Sequence, residues 1–164
     1  MKTAFKVIIN LSFIIYLFML AVILFLGSRG YLRADMSLLE YIKNSSNIVP
    51  FKTISIYMRA IFDGGMNADI PIKNLVGNFI LFLPMGVYLP YFFKRIDRIT
   101  FFSMAMCVLV FSIEVIQLVT RRGSFDIDDF ILNMLGAWLG LRIWKTRFFQ
   151  RLLKQQSEQQ LPLQ

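Results

Sequence analysis

A chain of 164 residues that is 57% hydrophobic, with mean hydropathy +0.60, is too apolar for an ordinary soluble domain, where about 45–50% is usual. It has no histidine and a single cysteine, Cys107, which excludes an internal disulfide, Cys/His zinc chemistry and Ser-His-Asp catalysis. No Gly-rich phosphate loop is present. Any chemistry therefore falls to carboxylates, amides, hydroxyls and arginine.

Four apolar blocks are long enough, or nearly so, to cross a hydrocarbon core of ~30 Å, which needs roughly 20 helical residues. They cover about 7–26, 75–93, 99–119 and 130–145. The first is too long for a secretory h-region and is followed by Gly27-Ser28-Arg29-Gly30 rather than a small-residue cleavage pattern, so it reads as an uncleaved helix. Pro84 predicts a kink in the second, and Pro90 its end. Gly136-x3-Gly140 in the fourth fits close packing between helices. The expected fold is an all-α membrane protein: a four-transmembrane-helix bundle over residues 1–150, with 28–73 as an outer loop and 151–164 as a polar cytoplasmic tail.

Charge supplies the orientation. One side carries ten Lys/Arg (Lys2, Lys6, Lys94, Arg95, Arg98, Arg142, Lys145, Arg147, Arg151, Lys154) against Asp97 and Glu158. The other side has eight of each sign, so the whole excess of +8 lies on one face. The positive-inside rule puts that face, with both termini, in the cytoplasm. Basic residues beside helices bind anionic lipid, and nucleic acid is not the expected partner of this pI of 9.9.

Within the outer loop, Ile54, Tyr57, Met58 and Ile61 recur at helical spacing, opposite Lys52, Ser55, Arg59 and Asp63. This predicts an amphipathic helix lying on the outer membrane surface, ended by Gly64-Gly65. Asn47 to Phe51 precede it as a turn.

The polar residues of the helices converge at one depth. Asn74 and Asn78 share a face of the second helix near its outer end. Glu114, Gln117 and Arg121 share a face at the outer end of the third, and Asp126, Asp129 and Asn133 share one on the upper fourth. Glu114 is the most informative, since an ionisable residue inside a membrane suggests function and a nearby partner, here Arg121 or Arg122. A structural ion pair with Gln117 and Asn133 as interhelical hydrogen-bond glue is the plainer alternative. Asp126, Asp128 and Asp129 begin the fourth helix, where one acid suffices to cap it; three can also bind Ca²⁺ or Mg²⁺ or form an acid/base pair.

These residues resemble the VanZ-like family of small bacterial membrane proteins. The likeness rests on Asn47 through Ile54, on Asn74-x3-Asn78-x3-Phe82-x-Pro84-x-Gly86, on Glu114-x2-Gln117, and on Arg122 through Asp129 followed by Asn133, Gly136 and Gly140. The resemblance implies a multi-helix membrane protein and, for some members, tolerance of teicoplanin-type glycopeptides; it implies no defined biochemical activity.

Three functions are open at this point. The first is an envelope protein whose outer site, formed by Asn78, Glu114, Gln117, Arg122, Asp126, Asp129 and Asn133, engages a lipid-linked cell-wall precursor or a glycopeptide. The second is an enzyme, a transferase or hydrolase on a lipid-linked substrate, with Glu114 as general base and Asp128 or Asp129 holding a divalent ion. The third is a small transporter, disfavoured because carriers place their sites near the midplane and these helices are apolar there. No metal centre is assigned, and the cofactor and oligomeric state are left open.

Overall fold

The computed structural model describes residues 2–27, 36–147 and 150. The polar tail expected over 151–164, and the start of the outer loop at 28–35, lie outside the described residues.

The chain is mostly helical. Helix α1 spans Lys2–Ala21 and continues through a wider π turn, Val22–Leu26, closed by the Gly27 N–H on the Val22 carbonyl at 3.0 Å. A short helix α2, Leu38–Asn44, follows; Ser37 and Glu40 form its capping box. Helix α3 covers Lys52–Asp63, and Gly64 ends it with a left-handed backbone, φ 66°. The second apolar block is two helices, α4 at Asp69–Leu81 and α5 at Met85–Phe92. A 3₁₀ turn at Lys94–Asp97 leads to α6, Ile99–Val119, and α7 runs Ile127–Trp144.

Three of these stretches are long and apolar enough to cross a membrane among the described residues: Ala4–Leu26, Asp69–Phe92 and Ile99–Val119. Large apolar side chains face outward along them, among them Ile8, Ile14, Ile15 and Phe18 on α1 and Phe101, Met104 and Val108 on α6. Helix α7 is different. It carries Asp128, Asp129 and Arg142, and nine of its eighteen residues are buried. It is the inner helix, packed against α4, α5 and α6.

Small residues on α7 allow that central position. A Cβ on Gly136 would lie 1.8 Å from the Phe79 carbonyl oxygen, and one on Gly140 would lie 2.0 Å from that of Leu83. The expected close packing is therefore backbone against backbone, with α4 and α5 as the partners. Below this contact Phe82, Phe102, Met106, Val110, Ala137 and Leu141 form the buried core.

The kink expected at Pro84 is a complete break. The Ile80 carbonyl has no proline N–H to accept, and Leu83 N–H turns back to it at 3.1 Å instead. The Leu81 carbonyl, released by the break, accepts from the Tyr16 hydroxyl of α1 at 2.9 Å. Two boundaries differ from the sequence reading. Helix α4 begins six residues earlier than 75, within a polar first turn where Lys73 pairs with Asp69 at 3.0 Å. Pro90 does not end α5 but sits inside it, and the helix stops after Phe92.

Helix α3 also departs from its expected orientation. Its protein-facing side runs through Thr53, Tyr57, Ala60 and Ile61, with Ala60 buried, so part of the stripe assigned to the membrane surface packs on α4 and α7. Met58 and Phe62, 79% exposed, remain on its outward flank.

Candidate functional site

One end of the molecule is organised by one short parallel pairing. Strand β1, Ser46–Asn47, lies beside β2, Phe125–Asp126, with Ser46 opposite Phe125 and Asn47 opposite Asp126. The Phe125 N–H reaches the Ser45 carbonyl at 2.9 Å. This seam brings the segment before α3 onto the start of α7, although some eighty residues of chain separate them.

Side chains then lock the seam. The Asp126 carboxylate caps α7, accepting the Asp128 N–H at 2.9 Å on Oδ1. The same oxygen accepts from Asn47 Nδ2 at 3.0 Å, and Oδ2 accepts from the Thr53 hydroxyl at 2.6 Å. Asn47 also donates to Thr53 Oγ1 at 3.1 Å and closes its own turn by accepting the Val49 N–H at 3.2 Å. Asp128, fully buried, takes the N-terminus of α3 instead. Its Oδ1 accepts the Phe51 N–H at 2.5 Å, and its Oδ2 accepts the Thr53 and Ile54 N–H groups at 2.7 and 3.1 Å.

This is a carboxylate capping a helix that is remote in sequence. Helix α3 has no capping side chain of its own, because Phe51 stands at the N-cap position. Phe51 also has a left-handed backbone, φ 63°, a conformation that costs a non-glycine residue about 1–2 kcal/mol. The anion offsets that cost through the helix dipole and through three charge-assisted hydrogen bonds.

Just beneath the latch lies a second buried polar group. Asn78 Nδ2 donates to Asp129 Oδ1 at 2.5 Å, joining α4 to α7. Asn74 stands one turn above Asn78 on α4, and Asn133 one turn below Asp129 on α7. Glu114 on α6, 3% exposed, turns Oε2 toward the Asp126 N–H at 3.4 Å. Asn133 is 2% exposed and its Oδ1 meets no donor; Asn74 Oδ1 is likewise buried without one. A buried amide oxygen left in this way costs about 1–3 kcal/mol.

The polar residues named from sequence thus divide. Asn78, Glu114, Asp126, Asp128, Asp129 and Asn133 are all buried at the same end, as their spacing implied. Gln117 is buried too, but its Nε2 is spent on the Leu24 carbonyl at 2.8 Å, in the last turn of the first apolar helix. Arg122 is exposed. Arg121 closes α6 in a Schellman turn, its φ at 56°, while the Arg122 N–H reaches the Gln117 carbonyl at 2.8 Å. The Arg121 guanidinium donates to the Met36 carbonyl at 2.9 Å and lies over the Tyr41 ring. Asp128, a catalytic and metal candidate in the sequence reading, has both oxygens accepting backbone N–H groups of α3. Among the described residues no group of three or more His, Cys, Asp or Glu is placed to hold a metal ion.

Sequence reasoning missed two members of the latch. Spacing assigns no role to Asn47 and Thr53, because a hydroxyl six residues after an asparagine signals nothing by periodicity. Tyr41 was also missed; its hydroxyl donates to the buried Gly123 carbonyl at 2.9 Å and fixes α2 against the turn after α6. Asn74 was noted for its position and left out of the expected site.

A family model described as VanZ/LLP1 matches residues 13–150. The chain belongs to the VanZ/LLP1 family. It is 28% identical over 109 residues to Protein VanZ of Enterococcus faecium, an alignment covering 66% of this chain and 58% of that protein. The chain thus spans little more than half the length of this curated relative. No solved structure matches it. Family membership and the three apolar helices together make it a membrane protein. All the latch and cluster residues, from Asn47 to Asn133, fall inside the matched region.

Proposed function

We propose that this chain is a multi-pass protein of a bacterial plasma membrane whose outward polar cluster binds a hydrogen-bond-donating group of a lipid-linked or cell-wall ligand, and thereby affects glycopeptide tolerance. Helix α7 is the fourth crossing: its eighteen residues span roughly 27 Å by helix rise. Its acids lie at the outer end, Arg142 at the inner end, and neighbouring helices screen its middle. Both termini are then cytoplasmic, beside the basic residues. Helices α2 and α3 lie at the outer face, α3 with Met58 and Phe62 toward the lipid.

The observation that carries the ligand reading is the Asn133 amide oxygen, buried and without a donor beside Asp129. A membrane interior leaves such an acceptor unpaired only at a cost. An amide N–H, a hydroxyl or an ammonium group would satisfy it, and cell-wall precursors and glycopeptides are rich in all three. The VanZ relative supports the envelope setting.

An enzymatic reading is supported by one further point. Besides Asp128, whose oxygens accept backbone N–H groups, Glu114 and Asp129 are two buried carboxylates on facing helices, a pair suited to proton transfer on a lipid-linked substrate. Glycopeptide susceptibility of a deletion strain, complemented at matched protein levels with wild type or Glu114→Gln, tests the site. Restoration by wild type alone is expected. Equal restoration by both makes Glu114 structural and removes the centre of the proposal. Altered membrane-lipid products in the wild type alone would favour the enzyme over the binding protein.

A further inference from the structure

The opposite end of the molecule holds a groove that the outer site does not use. It lies between α1, α5 and α7, has a volume of about 410 Å³, and is lined by Phe5, Ile9, Pro84, Tyr88, Tyr91 and Trp144 among others. The break at Pro84 shapes one wall. Two of its hydroxyls are spent on the protein: Tyr88 donates to Ser12 Oγ at 3.0 Å, and Ser12 donates to the Ile9 carbonyl at 2.9 Å. What the groove offers an occupant is therefore apolar and aromatic. Tyr91 meets Trp144 edge to face with ring centres 6.1 Å apart, which holds α5 to α7 at its inner end.

Exposed cations follow the groove's wall residues closely in sequence: Lys6 after Phe5, Lys94 and Arg95 after Tyr91, Lys145 after Trp144. A second recess, of about 640 Å³, is lined by Lys94, Arg95, Arg98, Ile96 and Phe101. Asp97 is the acid nearest these in sequence, and it is exposed. An apolar slot with a basic rim matches a molecule with a hydrocarbon chain and an anionic head. Each Lys or Arg near an anionic headgroup contributes about 1 kcal/mol, and basic recesses between helices are suited to phosphate heads.

We propose that this groove is a binding site for one chain of an anionic phospholipid from the leaflet at the basic end, with its phosphate held by Lys94, Arg95 and Lys145. Bound lipid fills the space beside the α4–α5 break and braces α1 against α5 where Tyr16 and Tyr88 already link them.

Trp144 reports occupancy directly. It is 8% exposed, so bulk lipid reaches it poorly and a chain in the groove reaches it well. Trp138, 40% exposed, is removed by Trp138→Phe. The full chain is placed in phosphatidylcholine nanodiscs doped at equal fraction with brominated phosphatidylglycerol or brominated phosphatidylcholine, and Trp144 quenching is measured. The anionic lipid should quench at a lower fraction. Lys94→Gln, Arg95→Gln and Lys145→Gln, all at exposed positions, should reduce that preference by about fivefold for each charge removed. Val87→Phe, which fills the groove without touching its rim, should abolish quenching by both lipids. Equal quenching by the two lipids in the parent, or an undiminished preference in the triple variant, overturns the proposal. Quenching that survives Val87→Phe in a protein of unchanged helix content places the chain elsewhere and overturns it as well.

Discussion

Asp128 and Asp129 are neighbours in sequence, both acidic and both buried at the N-terminal end of α7, yet their surroundings differ. Asp128 turns toward α3 and is surrounded by donors: three backbone N–H groups converge on its two oxygens. Asp129 turns toward α4, meets the amide of Asn78, and has Asn133 one turn below it with an unsatisfied oxygen. Helical geometry separates them, since adjacent residues point about 100° apart at 3.6 residues per turn. A saturated carboxylate holds structure. The proposed ligand site is placed beside Asp129 because the Asn133 oxygen there meets no donor. The same contrast extends outward, with Asp126, Asn47 and Thr53 joining the latch and Glu114 and Asn74 lying with the cluster.

The largest effect that can break this comparison is expected from Asp128→Ala. It leaves three N–H groups at the α3 terminus without their acceptor and removes the anion offsetting the strained Phe51 backbone. A loss of about 3 kcal/mol is expected, because unpaired buried donors cost about 1–3 kcal/mol each and neighbouring losses are not additive. Thermal unfolding in detergent, with limited proteolysis between β1 and α3, measures it. Wild-type melting and an uncut loop in this variant would remove the structural role assigned to Asp128. The neighbouring change, Asp129→Asn, keeps an acceptor for Asn78 and should leave melting nearly unchanged while abolishing complementation. If Asp129→Asn destabilises as much as Asp128→Ala, the two acids belong to one structural unit and the contrast fails.

Asn133→Leu sharpens the comparison from the other side. Removing a buried acceptor that meets no donor should stabilise the protein, by about 1 kcal/mol, while removing function. Such a gain with loss of activity is the behaviour of a binding group, because a structural group would lose both together. A destabilised Asn133→Leu would show that its oxygen is satisfied in the membrane.

Thr53→Val comes next in size. It deletes one hydroxyl donor to Asp126 at constant shape, with an expected loss of about 1 kcal/mol in the same melting measurement. No loss at all would leave Asn47 as the working partner of Asp126.

Much of this organisation was legible before the fold. The grouping of Asn78, Glu114, Asp129 and Asn133 as buried polar residues at one end follows from helical spacing, a local property. The interruption at Pro84 and the close approach at Gly136 and Gly140 followed from what those residues lack: an N–H in one case, a Cβ in the other. The division between Asp128 and Asp129 was not legible. It depends on the parallel pairing of Asn47 with Asp126, a contact made across the sequence by two residues on each side. No periodicity encodes a strand that short. For the same reason α3 was assigned wholly to the membrane surface, when its Ala60 flank is covered by the protein. An amphipathic stripe states which side of a helix is apolar and is silent on whether lipid or protein covers it.

The smallest expected effect concerns α2, whose cap is local where that of α3 is remote. Glu40 accepts from the Ser37 N–H at 3.0 Å and from the Ser37 hydroxyl at 2.9 Å, and these bonds, the backbone one foremost, hold its carboxyl below the ordinary value of 4.5. A depressed folded-state value means the contribution is full above 4.5 and fades as pH falls through the lowered value. Being wholly exposed, the group is screened by solvent, and its effect should stay within the first turn of α2. Hydrogen exchange at Glu40 and Tyr41 should therefore quicken in acid beyond the intrinsic pH trend, and Ser37→Ala should remove that excess. Unchanged exchange at Glu40 and Tyr41 across that range, or an excess that survives Ser37→Ala, would remove the local cap as its cause.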